Sequence, residues 1–286
     1  MQEIATAVYI EDSYPGVTLG AINLPHGLVQ VDAPPSPDDG RAWRAALLNL
    51  GGSAERLLVN LDAHPDRTLG ARVMDCTVVA HEKTAQVFRS RPTTFKAQGE
   101  ETGADWEKIP NLGNVRWSPP EIFFSNQLTI RWDDAPVVLE HHPGPAAGAL
   151  WVVLPEAKVV FIGDAVLKNQ PPFLAHADIP AWLETVKLLL SAEYRNWLVV
   201  SGRGGPVSVE TIRHQKEILE QVLNKVEKLA GKKAAPEAVE ALINPLLGGF
   251  KVPSGRQGQY AQRLRYGLAQ YYIRHYHPSS AVPEEE

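Results

Sequence analysis

The chain has 286 residues, a formal net charge of −5 and 44% apolar residues, enough for one large α/β domain with an extension or for two small domains. The negative charge and the lack of a basic run with interleaved aromatics speak against nucleic-acid binding, and no apolar stretch reaches the roughly 18–20 residues needed to span a bilayer. A single cysteine, Cys76, excludes an intrachain disulfide. Glu3, Glu11 and Asp12, with no basic-then-apolar leader, point to the cytoplasm.

The first thirty residues alternate short apolar runs with turn signals; residues 21–24, the turn Pro25-His26-Gly27 and residues 28–32 predict a hairpin. After a loop from Pro34 to Gly40, Asp38 or Asp39 is expected to cap a helix that begins near Arg41 and ends before Gly51. Then come a strand over 57–60, a polar loop, and a strand over 76–80 that buries the Cys76 thiol as an inert group. A short helix is expected over 81–88, with His81 capping it or lying on the surface. Residues 91–120 hold several Gly and Pro without periodicity and predict a long loop or lid. Strands follow at 128–132, 137–141, 150–154 and 159–162; Pro155-Glu156-Ala157-Lys158 turns between the last two, and Gly163-Asp164 ends them. A helix over 180–190 opens after Asp178, and a strand over 197–200 leads into Ser201-Gly202-Arg203-Gly204-Gly205-Pro206. An amphipathic helix is expected over 209–229 and a second, rich in Arg and Tyr, over 257–275. The tail 278–286 reads as disordered. Residues 22–32 and 152–164 share the order strand, Leu-Pro turn, strand, Asp, a hint of two related β-rich halves. Two groups of strands, each flanked by helices, predict an α+β fold of four layers, an αββα sandwich.

The densest chemistry lies in Asn60-Leu61-Asp62-Ala63-His64-Pro65-Asp66-Arg67-Thr68-Leu69-Gly70, where the apolar lead-in Leu57-Leu58-Val59 delivers Asp62, His64, Asp66 and Arg67 on one loop. Metal sites are assembled this way, because a loop after a buried strand can turn several side chains toward one point. The loop resembles the His-x-His-x-Asp-His motif of the metallo-β-lactamase superfamily. His64 and Asp66 match; Asp62 stands for the first His and Arg67 for the last. Four other stretches are similar in order: the hairpin ending in Val31-Asp32; His142-Pro143-Gly144-Pro145-Ala146-Ala147-Gly148, similar to Pro-Gly-His-Thr-x-Gly; Phe161-Ile162-Gly163-Asp164; and Ser201 to Pro206, similar to the Gly-His-Gly loop. The resemblance covers about residues 5–230. It implies a metallo-β-lactamase-type domain over 1–230, with 231–286 as a C-terminal helical extension and tail.

The same resemblance implies where metals would sit. The first site offers Asp62, His64 and the bridging Asp164, with Pro145 at its third His position; the second offers Asp66 and Asp164, with Arg67 and Arg203 at its two His positions. A guanidinium has no lone pair to give. The expectation is no metal or one divalent ion (Zn, Mn or Fe) held by Asp62, His64 and Asp164, and no two-metal centre. The two arginines would supply the positive charge that Asp66 and Asp164 otherwise draw from a metal.

Two functions remain open on these residues. One is a hydrolase of an unknown small substrate, impaired or running on one metal, with His64 and Asp66 as catalytic residues. The other is a non-catalytic protein that binds a small anion through Arg67 and Arg203, with His142 and His176 at the cleft. The Arg- and Tyr-rich helix would pack on the core or serve a homodimer. A phosphate-binding loop and a serine-hydrolase elbow are both lacking.

Overall fold

The protein is described by a computed structural model over residues 1–51, 54–96, 99 and 101–277; the expected disordered tail lies outside the described residues. A seven-stranded sheet runs in order β1 (Gln2–Ala5), β2 (Val8–Glu11), β3 (Leu19–Leu24), β4 (Gly27–Val31), β5 (Arg56–Val59), β6 (Thr77–His81), β7 (Ile122–Phe124). It is antiparallel as far as β4 and parallel from β4 to β7. Between its strands lie α1 (Pro37–Leu48), the single turns α2 (Pro65–Thr68) and α3 (Ala71–Met74), and α4 (Glu82–Ser90).

The second sheet has β8 (Gln127–Ile130), β9 (Val137–His141), β10 (Leu150–Leu154), β11 (Val159–Phe161), β12 (Leu198–Ser201) and β13 (Gly205–Val207), ordered β13-β12-β11-β10-β9-β8. Its helices are α5 (Ile179–Leu189), α6 (Val209–Gly231), α7 (Glu240–Leu247) and α8 (Gln257–Tyr276).

Alternation along the strands builds the layers. Val8, Ile10, Val29, Val31 and Val59 of the first sheet meet Leu139, Val152, Phe161 and Val200 of the second in one apolar core. The other face of the first sheet packs on Trp43 and Leu47 of α1 and Met74 of α3. The other face of the second packs on Trp182, Leu219, Ile243, Leu264 and Tyr271 from α5 to α8. This is the expected αββα sandwich, and the C-terminal helices share the core of the second sheet. No helix among the described residues is long and apolar enough to cross a membrane.

The hint of internal symmetry has a topological counterpart. β3–β4 and β10–β11 are both antiparallel hairpins whose second strand pairs in parallel with the next, β5 and β12 respectively. Asp32 and Asp164 follow the two equivalent hairpins.

Several local expectations shift. α1 starts at Pro37 with Ser36 as cap, its hydroxyl accepting from Asp39 N, because proline at the first helical position fixes φ without wasting a donor. Cys76 lies one residue before β6, half-buried, with Gln30 Nε2 donating to its sulfur at 3.5 Å; burial pushes the thiol up to about 11. His81 does cap α4, accepting from Lys83 N. α2, α3, α7, β7 and β13 lacked a sequence signal, being too short to show a period. The described part of 91–120 is a folded cover: Phe95, Trp106, Leu112 and Trp117 form an aromatic cluster with Leu69, Phe88 and Phe173.

Candidate functional site

The two sheets deliver their acidic residues to one end. Asp32 follows β4 in a left-handed conformation (φ 60°), Asp62 follows β5, Asp164 sits in the turn after β11, and Arg203 in the turn between β12 and β13. α2 adds Asp66 and Arg67. Asp32, Asp62, Asp66, Asp164, Arg67 and Arg203 are all buried.

Arg67 is the hub. Its Nη1 lies 3.2 Å from Asp32 Oδ2, its Nε 3.2 Å from Asp62 Oδ1, and its Nη2 donates to Asp164 Oδ1. It thereby links the carboxylates that end the two related hairpins. The close packing of Gly202 makes this fit: a Cβ there would sit 3.0 Å from Arg67 Nη1 and 2.9 Å from the Gly163 backbone. Arg203 Nε donates to Asp164 at 3.0 and 3.2 Å, and its Nη1 lies 2.8 Å from Asp66 Oδ2 without hydrogen-bond alignment. Among the described residues Arg203 Nη2 has no hydrogen-bond partner. Asp66 Oδ1 accepts from Trp106 N at 2.8 Å.

A second tier closes over this pair. Asp105, from the covering loop, accepts from Arg256 Nη1 at 2.6 Å and from Gln259 Nε2 at 3.3 Å, and faces Arg263 Nη2 at 3.5 Å. Arg263 of α8 also donates to Gly103 O and Gln170 Oε1. Two guanidiniums pack on the Phe173 ring, with Arg203 Cζ at 4.4 Å and Arg263 Cζ at 3.9 Å from its centroid. Arg91 donates to Ala63 O and packs on Phe88 and Trp117.

The electrostatics follow from this pairing. Burial opposes ionisation of Asp164, but Arg203 and Arg67 beside it hold its carboxyl well below the usual range. Burial likewise opposes Asp105, which Arg203, Arg263 and Arg256 hold low. Asp32 behaves differently: burial outweighs its single arginine and pushes it up to about 7. Burial lowers His64, so the imidazole is neutral near pH 7. Arg263 and Arg91 are each pushed down to about 10 by burial, which leaves both charged at neutral pH.

The expected ligand trio does come together. One donor atom each from Asp62, His64 and Asp164 lies within 4.8 Å of the others, and His64 Nδ1 is 3.8 Å from both carboxylates. Their lone pairs are engaged, however. Asp62 Oδ1 accepts from His64 N and faces Arg67, and both oxygens of Asp164 meet Arg203.

The remaining site residues are placed as follows. Arg67 is fully buried, with Nη1 and Nη2 bonded to Asp32 and Asp164 and Nε 3.2 Å from Asp62 Oδ1 without hydrogen-bond alignment. His142 is not brought to this cluster by its ring contacts: it stacks on Trp151 at 3.8 Å and pairs with Glu140 at 3.1 Å. His141 stacks on His81 instead. His176 is exposed on the loop before α5. Sequence reasoning missed Asp32, Asp105, Arg91, Arg256 and Arg263 as members of the site. The one available signal was Gln259 and Arg263, polar residues on the apolar stripe of α8 with Tyr260, Leu264 and Tyr271.

A family model of the metallo-β-lactamase superfamily matches residues 63–235. The chain belongs to that superfamily. Its fold is similar to a metallo-β-lactamase from Pontibacter korlensis, at 19% identity and TM-score 0.60, over 77% of this chain and 97% of that one. It is also similar to the sec-alkylsulfatase Pisa1 from Pseudomonas sp., at 16% identity and TM-score 0.66. That match spans 98% of this chain, which takes in the C-terminal helices, but 51% of the alkylsulfatase. Among curated proteins, none matches the chain in sequence. Members of this superfamily typically hold divalent metals. The residues here fit a two-metal centre poorly: the second set has two guanidiniums against Asp66 and Asp164, and Pro145 adds no donor to Asp62, His64 and Asp164 in the first.

Proposed function

We propose that this protein is a metallo-β-lactamase-fold protein that has exchanged its di-metal centre for a buried arginine–aspartate network, and that it binds a small anion rather than hydrolysing a substrate with metal-bound water. The observation that carries the reading is the paired change at Arg67 and Arg203. Both guanidiniums are buried on the carboxylates that would otherwise share a cation. A divalent ion brought to Asp62, His64 and Asp164 would have to displace Arg67 from two of them or lie beside its charge.

One specific observation favours a second reading, a hydrolase running on a single metal. Asp62, His64 and Asp164 converge, and His64 keeps about a fifth of its side chain exposed. A metal there would lower the pKa of a bound water to about 7, and Asp66 could not orient it while held by Arg203 and Trp106 N.

Thermal melts decide between the two. Under the proposed reading the melting temperature is the same in chelator, in buffer and with zinc or manganese in excess. A native-state metal stabilises by mass action, so a drop of several degrees in chelator, abolished by His64→Ala, would establish the single-metal reading instead.

A further inference from the structure

Each sheet ends in two outer strands, β1 and β7 in the first and β13 and β8 in the second. An outer strand offers unpaired backbone groups to other chains, and charge, proline or polar side chains usually blunt it. Three of these edges are blunted: β1 exposes Gln2 and Glu3, β13 carries Pro206, and β8 exposes Gln127 and Thr129. β7 differs, because Ile122 and Phe123 are 42% and 47% exposed on it.

We infer that β7 and the adjoining flank of α4 form a docking surface for a second copy of this chain, joined antiparallel about a two-fold axis at Phe123. The inference goes beyond the anion-binding reading and does not depend on it.

Three observations select a second copy as the occupant. The first is the backbone. Asn60 N donates to Val79 O, which turns Val79 toward β5 and its neighbour Ala80 toward β7. Ala80 pairs in parallel with Phe123, so it bonds the residues on either side and leaves the Phe123 N–H and C=O on the open edge. A two-fold axis there lets the two Phe123 residues exchange both hydrogen bonds.

The second is the side chains. Phe123 lies on the α4 side of the sheet, under Arg89, while Phe124 lies on the inter-sheet side against the core. In the antiparallel register the two Phe123 rings meet on one side, and on the other the exposed Ile122 meets the partner's Phe124.

The third is charge. α4 has Glu82 in its first turn and Arg89 in its last. Both lie on the flank toward β7: Glu82 accepts from Ser125 Oγ at 2.8 Å, and Arg89 Cζ is 5.3 Å from the Phe123 centroid. An antiparallel two-fold pair sets each Glu82 opposite the partner's Arg89 and opposes the two helix dipoles. α4 packs on both β6 and β7, so the two copies of α4 would lie about two strand spacings apart, roughly 10 Å, which is helix-packing distance. The Arg- and Tyr-rich α8 is not the dimer surface in this account, because Tyr260, Leu264, Leu268 and Tyr271 are spent on the core of the second sheet.

Sedimentation velocity of the full chain from about 1 to 200 µM covers the range of a transient dimer, and the dimer fraction should rise with concentration. Phe123→Glu, a change at a half-exposed position, should weaken the dimer tenfold or more by setting two like charges at the axis. Arg89→Glu and Glu82→Arg should each be monomeric alone. An equimolar mixture of those two variants should dimerise, since opposite charges then face each other at both contacts, and an unfolded variant could not give that result. A chain that stays monomeric throughout, a dimer that Phe123→Glu leaves unchanged, or a mixture that stays monomeric although both variants show cooperative melts would each overturn the inference.

Discussion

Removing Arg203 should show what the network is worth. In Arg203→Met a side chain of similar length keeps contact with Phe173, but Asp164 loses the arginine that meets both its oxygens and Asp66 loses its pairing at 2.8 Å. Breaking a buried ion pair from one side costs about 3–5 kcal/mol, because the partner charge stays buried and uncompensated. The unfolding entropy of a 286-residue chain is about 0.6 kcal/mol/K. The expected drop in melting temperature is then about 5–8 °C near neutral pH. The pH dependence gives the sharper test. In the native protein Asp164 is held below the usual carboxylate range, so its contribution is present above the unfolded value and is lost as pH falls through the folded one. In the variant, burial acts with less opposition and raises that carboxyl, so stability is lost as pH rises. The gap between the two proteins should widen from about pH 4 to pH 7. Circular-dichroism melts at both pH values measure it. A gap that is absent, or equal at pH 4 and pH 7, would refute the claim that Arg203 neutralises buried carboxylates.

Three other outcomes follow from the same geometry. Asp105→Asn should cost about 3 kcal/mol by leaving Arg263 buried against a neutral partner, and hydrogen exchange should rise first in α8; uniform exchange across the chain would count against Asp105 as the tie between that helix and the site. Gly202→Ala should destabilise by about 1–3 kcal/mol through overpacking, since its Cβ would meet Gly163 at 2.9 Å and Arg67 at 3.0 Å; an unchanged urea midpoint would refute that packing. Asp32, pushed up to about 7 by burial, contributes stability that is present below the unfolded carboxylate value and is lost as pH rises through about 7. The stability of the native protein relative to Asp32→Asn should therefore fall between about pH 4 and pH 7 and level off above, and a urea titration with the opposite slope would contradict the assignment.

The layers of the fold were legible because strand ends carry turn residues and the strands themselves are short apolar runs. Pro155 to Lys158 turns between β10 and β11 as expected, and Pro25-His26 turns between β3 and β4, with Gly27 already in β4 opposite Leu24. The inner half of the site was legible for a different reason: Asp62, His64, Asp66, Arg67, Asp164 and Arg203 lie in the loops and short helical turns that follow strands, so chain order alone brings them to one end. The outer half had no such constraint. Asp105 meets Arg256 across 151 positions, and Arg263 meets Gly103 across 160, through a covering loop without periodicity. The start of α1 was missed because Ser36-Pro37 is a stronger start than Asp38 or Asp39, which fall in the first turn. The burial of Arg67 among three carboxylates was not legible, because sequence shows a charge but not its partners. Asp32 took the third nitrogen, and its part in the network was not marked by the motif.

The measurement that bears most directly on the exchange of metal for arginine is elemental mass spectrometry of the protein, purified without a histidine tag from cells grown with added zinc and manganese. The account predicts far less than one equivalent of any transition metal. Two equivalents would contradict it outright, because Arg67 and Arg203 could not then be lying on Asp66 and Asp164.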